Sequence, residues 1–241
     1  MRRQLVALSA AMLMAALTAG CGSAPSGSAR EGTEAADANA RLGLAYLEQG
    51  DYQRARTKLQ RALEFAPEHA DAHHYLAELY RRLEEPDQAR QHYAAALEAT
   101  PEAPALNNNV GVFRCEQGEV DGAVEAFETA AADPVYQRRA RTLANAGQCL
   151  RGAERPGEAA GYYRRALRLD GAPRRLLREM AAVQAERGEY LSARGFLERY
   201  ADRVDEPGSE ALELGIRIEE ALGNPAGARD YRRQLKESEH G

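Results

Sequence analysis

The sequence predicts an all-α fold, a superhelical solenoid of about six helix-turn-helix repeats. Three observations carry the prediction. Small and large apolar residues return in the same order every 34 residues through most of the chain. Gly and Pro stand at fixed places within that period, where helices must stop. Among 241 residues there is no Trp, aromatic residues make up 6%, and Ala is abundant, a composition thin for a β-sandwich and suited to packed helices. A period of this length marks a stack of supersecondary units, because one hairpin cannot bury its apolar face alone and stacked neighbours can.

Residues 1–20 read as an export signal. Met1-Arg2-Arg3 is a basic start, and Leu5 to Leu17 is an apolar run too short for a spanning helix, which needs about 20 residues. Leu17-Thr18-Ala19-Gly20-Cys21 resembles the lipobox of bacterial lipoproteins, in which small residues precede a Cys that is acylated and becomes the mature N-terminus. Thr18 stands where that pattern prefers Leu. The alternative is ordinary signal cleavage near the same Gly, with Cys21 a free thiol. The resemblance implies lipidation of Cys21, palmitate among the chains, and hence a membrane partner through an N-terminal lipid anchor. Gly22-Ser23 in place of an Asp implies the outer membrane, periplasmic face. Residues 21–33 read as the acylated Cys and a flexible tether rich in Ser, Gly, Ala and Pro.

Residues 34–241 read as one repeat domain, with units starting near 36, 70, 104, 140, 174 and 209. The first unit runs Asn39, Leu42, Gly43, Tyr46, Gly50, Ala55, Leu59, Ala62, Pro67. The second runs His73, Leu76, Ala77, Tyr80, Ala89, Tyr93, Ala96, Pro101. The third holds Asn107, Val110, Gly111, Gly118, Ala123, Phe127 and Ala130, with Pro134 one place late and a two-residue insertion after it. Leu143, Ala146, Gly147, Ala159, Tyr163 and Ala166 make the fourth. Leu177, Met180, Ala181, Gly188, Ala193, Leu197 and Tyr200 make the fifth. A weaker sixth copy keeps Leu212, Gly223 and Ala228, and its last helix is mostly polar, as suits a terminal repeat facing water.

This is the tetratricopeptide (TPR) pattern. Gly43, Ala77, Gly111, Gly147 and Ala181 sit where the first helix of a unit meets the second, with Ala55, Ala89, Ala123, Ala159 and Ala193 as counterparts. Only Gly or Ala lets the backbones approach there. Gly50, Gly118 and Gly188 end first helices, and Pro67 and Pro101 end second helices.

Composition and motifs exclude several classes. A formal net charge of -5 argues against nucleic acid, whose binders carry a clustered basic face. There is no phosphate-binding Gly loop and no G-x-S-x-G nucleophile turn, so no catalytic residue, cofactor or small-molecule substrate is predicted and the chain reads as a non-enzyme. His69, His73 and His74 cluster, and histidines at i,i+4 can bind zinc, but His69 follows Pro67 in a turn and there is no H-E-x-x-H, so no metal is predicted. Arg138-Arg139-x-Arg141 and Arg174-Arg175-x₂-Arg178 read as solvated faces. The binding reading is stronger, since the first helices of such a stack line a groove. Its candidates are Leu44, Leu47, His74, Glu78, Asn108, Val112, Ala144, Gln148 and Arg178. Asn109 and Asn145 recur at one repeat position, where an amide bridges repeats or meets a ligand. The occupant expected is an apolar or extended peptide segment. Cys115 and Cys149 fall on first helices of adjacent repeats. They read either as a disulfide in an oxidising compartment or as two buried thiols.

Three stretches are more particular than a generic repeat: Asn108 to Gly118, Ala132-Asp133-Pro134-Val135-Tyr136, and Leu143 to Cys149. Together they resemble the PilF/PilW family of type IV pilus biogenesis and stability lipoproteins, with Arg114 replacing an apolar residue. The resemblance implies a pilotin role. Such a protein would bind the secretin PilQ through its groove and promote secretin localisation and multimerisation at the outer membrane, and so type IV pilus biogenesis. The alternative is a general periplasm-facing TPR lipoprotein, an adaptor whose partner is another envelope protein, such as an envelope enzyme or the outer-membrane barrel assembly.

Overall fold

The computed structural model describes residues 27–238, and within them every regular element is an α-helix. In chain order they are α1 (Gly27–Glu48), α2 (Tyr52–Phe65), α3 (Ala70–Arg82), α4 (Pro86–Ala99), α5 (Pro104–Glu116), α6 (Val120–Ala132), α7 (Arg139–Gly152), α8 (Pro156–Leu167), α9 (Arg175–Glu186), α10 (Tyr190–Ala201), α11 (Ser209–Ala221) and α12 (Pro225–Ser238). Each odd-numbered helix packs against the even-numbered one that follows, and each pair stacks on the next. The fold is an all-α TPR solenoid.

The small-residue rule explains the pairing. A Cβ built on Gly147 would stand 2.4 Å from the Tyr163 ring, so α7 and α8 approach at a distance only glycine permits. The same meeting recurs at Gly215 and Tyr231, where a Cβ would fall 2.7 Å from the ring. Gly215 was not among the marks of the sixth copy read from the sequence, although it lies where Gly147 lies in its own hairpin. Around these contacts runs a continuous core of Ala, Leu, Tyr and Phe: Ala55 and Leu59 under α1, Ala89 and Tyr93 under α3, Phe127 under α5, Tyr163 under α7, Leu197 under α9.

Helix α1 begins at Gly27, so residues 27–33 of the stretch read as tether are helical; they extend the first helix of a repeat that has no neighbour on that side among the described residues. Cys21 and the export signal lie outside the described residues. At the other end α12 buries only Ala228, which leaves the last face of the stack polar. Among the described residues no helix is long and apolar enough to cross a membrane.

Candidate partner-binding groove

The first helices α1, α3 and α5 lie side by side and enclose a cavity of about 390 Å³. Leu44, His74, Glu78, Asn108 and Asn109 line it, with Arg138 at one end. Its floor is a hydrogen-bonded row crossing three repeats. The Asn109 amide nitrogen donates to His74 Nε2 at 3.0 Å, and Asn108 Nδ2 donates to Asn109 Oδ1 at 3.1 Å. Asn108 Oδ1 in turn accepts from Thr142 Oγ1 at 3.0 Å and from Asn145 Nδ2 at 3.1 Å. The recurring asparagines therefore bridge neighbouring repeats. Burial holds His74 below the usual imidazole range against the pull of Glu78 and Asp71, so the ring is neutral and Nε2 accepts. Thr142 was missed from the sequence, because with the two-residue insertion it stands at the repeat position of Leu106, an apolar place that gave no polar signal.

Beside this row, Glu78 accepts a hydrogen bond from the Tyr93 hydroxyl and binds Arg81, whose Nη1 reaches Glu116 of the next repeat at 2.8 Å. Burial works against the Arg81 charge, but the bond to Glu78 and the charge of Glu116 outweigh it and hold its pKa above the ordinary value. Leu47, expected in the groove, borders the cavity but is 1% exposed and packs with Leu59, Leu76 and Leu79; it belongs to the core. Ala144 is buried as well, and Arg178 is tied to Glu179 and Glu210.

Val112, Asn145 and Gln148 belong to a second cavity, of about 510 Å³, between repeats three and four. Its wall is mostly apolar, with Cys115, Val120, Phe127, Cys149 and Gly152. Cys115 and Cys149 are joined in a disulfide, with Cα atoms 5.8 Å apart. The opening has a simple origin. Arg81 bonds Glu116 across the preceding junction and Arg151 bonds Glu186, at 2.6 Å, across the following one. The residues in the corresponding places here are Cys115 and Gly152, too short to close the gap. The predicted groove is thus two sites, one polar and one apolar.

The remaining marked residues serve the frame. His69 caps α3 by accepting from Ala72 N–H, and its Nε2 lies 2.8 Å from Asp37. His73 Nδ1 is 2.9 Å from His92 Nδ1. The three neighbouring histidines therefore face three different partners, and no group of three metal-capable side chains occurs among the described residues. Arg114, the departure from the family's apolar residue, donates to the Gly122 carbonyl at 3.0 Å and packs on α6.

A stack of paired helices with small residues at each crossing, and a groove lined by first helices, defines a tetratricopeptide-repeat protein. Residues 40–104, 76–137 and 114–174 match the tetratricopeptide repeat family. The chain belongs to that family of protein-interaction scaffolds. Within it the chain is homologous to the type IV pilus assembly protein PilF of Pseudomonas aeruginosa, with 32% identity over 203 residues, 84% of this chain and 80% of the relative. The solved structure of P. aeruginosa PilF superposes with a TM-score of 0.75, covering 88% of this chain and 95% of that one. The structure of PilW, described as a widely conserved type IV pilus biogenesis factor, superposes with a TM-score of 0.73 at 28% identity, covering 83% and 92%.

Proposed function

We propose that this protein is a pilotin: a lipoprotein held at the periplasmic face of the outer membrane through Cys21, which binds a secretin of the PilQ kind and promotes its multimerisation during type IV pilus biogenesis. The observation that carries the reading is the likeness to PilF along nearly the whole solenoid, 32% identity with 95% of that structure covered. No covalent chemistry is required. The lipid supplies location, the first-helix face supplies recognition, and binding raises the local secretin concentration where the ring assembles. The apolar cavity beside the disulfide fits an apolar side chain of an extended secretin segment, and the asparagine row offers amides to its backbone.

Deleting the gene is expected to abolish heat-resistant secretin oligomers on gels and surface pili together. Intact secretin rings with normal piliation would remove the pilotin reading and leave an adaptor with another envelope partner. A Cys21→Ala protein is expected to leave the outer-membrane fraction; if it stays, the anchor is elsewhere.

A further inference from the structure

Charge is distributed very unevenly along the solenoid. Residues 134–178 contain eleven Arg and three acidic residues, whereas residues 27–133 contain ten basic and twenty acidic ones. The excess gathers at one edge of the fourth repeat, where α7 and α9 begin and α8 ends. Arg138, Arg141, Arg164, Arg168 and Arg175 are exposed there, and none has an ion-pair partner among the described residues. Other arginines of the same stretch are spoken for: Arg151 binds Glu179 and Glu186, Arg155 binds Asp121 and Glu158, and Arg165 binds Glu128. Of the two aspartates on this edge, Asp133 is used by the Val135 backbone N–H and Asp170 stands exposed.

The placement works against the fold. The N-terminal end of a helix carries a partial positive charge and favours acids. Five of the twelve described helices hold an acid in the first turn; α7 and α9 are among the seven that hold none, and they set Arg139, Arg141 and Arg175 there without the carboxylate that pairs Arg54 in the first turn of α2. Two neighbouring helices that begin on arginines, with no ion-pair partner for Arg141 or Arg175 among the described residues, give this edge a charge that the fold itself does not use, a surface suited to something outside the chain. Next to it Val135 is 80% exposed, an aliphatic contact on the rim.

We propose that this edge of the fourth repeat binds an acidic segment of a partner protein, its carboxylates on Arg138, Arg141 and Arg175 and an aliphatic side chain on Val135. The inference does not rest on the pilotin reading. A segment one chain wide can follow the basic edge without meeting the acidic first three repeats. A flat anionic membrane broad enough to reach this edge would also face their excess of acids and be repelled. Guanidinium groups suit the task because each can take a carboxylate in a two-point bond.

The test uses the full-length protein in neutral-lipid nanodiscs and a labelled twelve-residue peptide carrying four Glu and two Leu. Binding is read by fluorescence anisotropy. The acidic peptide is expected to bind, to weaken as salt rises, and to outcompete its Gln-for-Glu analogue. Arg138→Glu/Arg141→Glu/Arg175→Glu should lose about tenfold or more in affinity, from the lost ion pairs and the repulsion introduced. The control Arg41→Glu/Arg217→Glu/Arg229→Glu, with the same change of net charge at exposed sites elsewhere, should lose about twofold or less. Matching thermal melts establish that both variants fold. Equal losses in the two variants, or no loss in the first, would overturn the proposal. Displacement of the peptide by phosphatidylglycerol vesicles would assign the edge to a membrane instead. Failure of the peptide to bind, with salt-sensitive self-association of the chain, would assign it to a second copy.

Discussion

Repeats two and four are the same hairpin held together in two different ways. In repeat two, Tyr93 lies beneath Ala77 and its hydroxyl finds Glu78, which also holds Arg81; the junction to repeat three is closed by the bond from Arg81 to Glu116. In repeat four, Tyr163 lies beneath Gly147, but the residue in the place of Glu78 is Gln148, and the Tyr163 hydroxyl is buried without a partner. Where repeat two has Leu79, repeat four has Cys149, bonded back to Cys115. The Arg81–Glu116 ion pair closes one junction; at the other a covalent bond stands in its place, beside the hydrogen bonds of Asn108 with Thr142 and Asn145. The second device suits its place. It spans the point where a two-residue insertion shifts the period, and an ion pair across that gap would have to bridge the apolar cavity of about 510 Å³.

The largest expected effect lies in the covalent junction. The cross-link closes a loop with a sequence separation of 34, which in the chain-entropy model is worth about 3–4 kcal/mol. A Cys115→Ser/Cys149→Ser protein should therefore melt well below the parent, and reductant should destabilise the parent by a similar amount and leave the variant unaffected. Equal melting temperatures would mean that the apolar packing around Val112 and Phe127 holds the junction unaided.

The two tyrosines offer a smaller, sharper contrast. Tyr93→Phe removes a donor from the partly buried Glu78 carboxylate and should cost about 1–2 kcal/mol. Tyr163→Phe removes a hydroxyl that has no partner, so its effect should be close to zero or slightly stabilising. Burial raises both phenols above their ordinary range, Glu78 adding to the effect at Tyr93 and Glu179 at Tyr163, so neither ionises near neutral pH. Equal losses in denaturant titrations of the two variants would show that Tyr163 has an acceptor after all.

Much of this was legible in the sequence for a physical reason. The 34-residue register fixes which residues face which within a hairpin, because helix crossings admit only Gly or Ala at one point and a large apolar side chain opposite. Gly147 with Tyr163 and Gly43 with Leu59 follow from that alone. The groove was harder to read. Register says that Leu47 and His74 lie on first helices but not how deep, and depth is set by neighbours from other repeats: Leu47 is covered by Leu76 and Leu79, while His74 is held at the floor by Asn109. The division into a polar and an apolar cavity depends on side-chain reach between repeats, Arg81 to Glu116 against Cys115 and Gly152, which no single unit displays. The helical start at Gly27 was hidden because Gly and Ser weaken helix propensity; the stretch extends a helix whose body packs on α2 and α3, with Gly32 beside the Phe65 carbonyl.

Repeat two also carries an acid-sensitive histidine that repeat four lacks. His92, beside His73 and stacked 5.4 Å from Tyr80, is held at about 4, first by burial and then by the neighbouring imidazole. Its folded value lies below the unfolded one of about 6.5, so the unfolded chain binds the proton more readily. Stability is full above pH 6.5 and declines as pH falls from there toward 4. Tyr162 and Leu143 occupy these two places in repeat four and cannot titrate there. His92→Tyr should flatten the fall in melting temperature between pH 6.5 and 4.5, and an unchanged slope would place the acid sensitivity elsewhere.

The smallest effect lies where the two repeats agree. Both end their first helix on a glutamate in the left-handed region, Glu84 at φ 59° and Glu154 at φ 58°, where the other repeats use Gly50, Gly118, Gly188 and Gly223. A non-glycine residue there costs about 1–2 kcal/mol from the contact of its Cβ with the following carbonyl, and glycine gives part of that back through the entropy of the unfolded chain. Glu84→Gly and Glu154→Gly should each stabilise by about 0.5 kcal/mol. Their effects should add, since the two turns lie in separate hairpins with no shared contact. If Glu154→Gly instead destabilises while Glu84→Gly stabilises, the turn after α7 must hold its glutamate for a contact in the apolar cavity or with a partner, and the two hairpins would differ even where their backbones coincide.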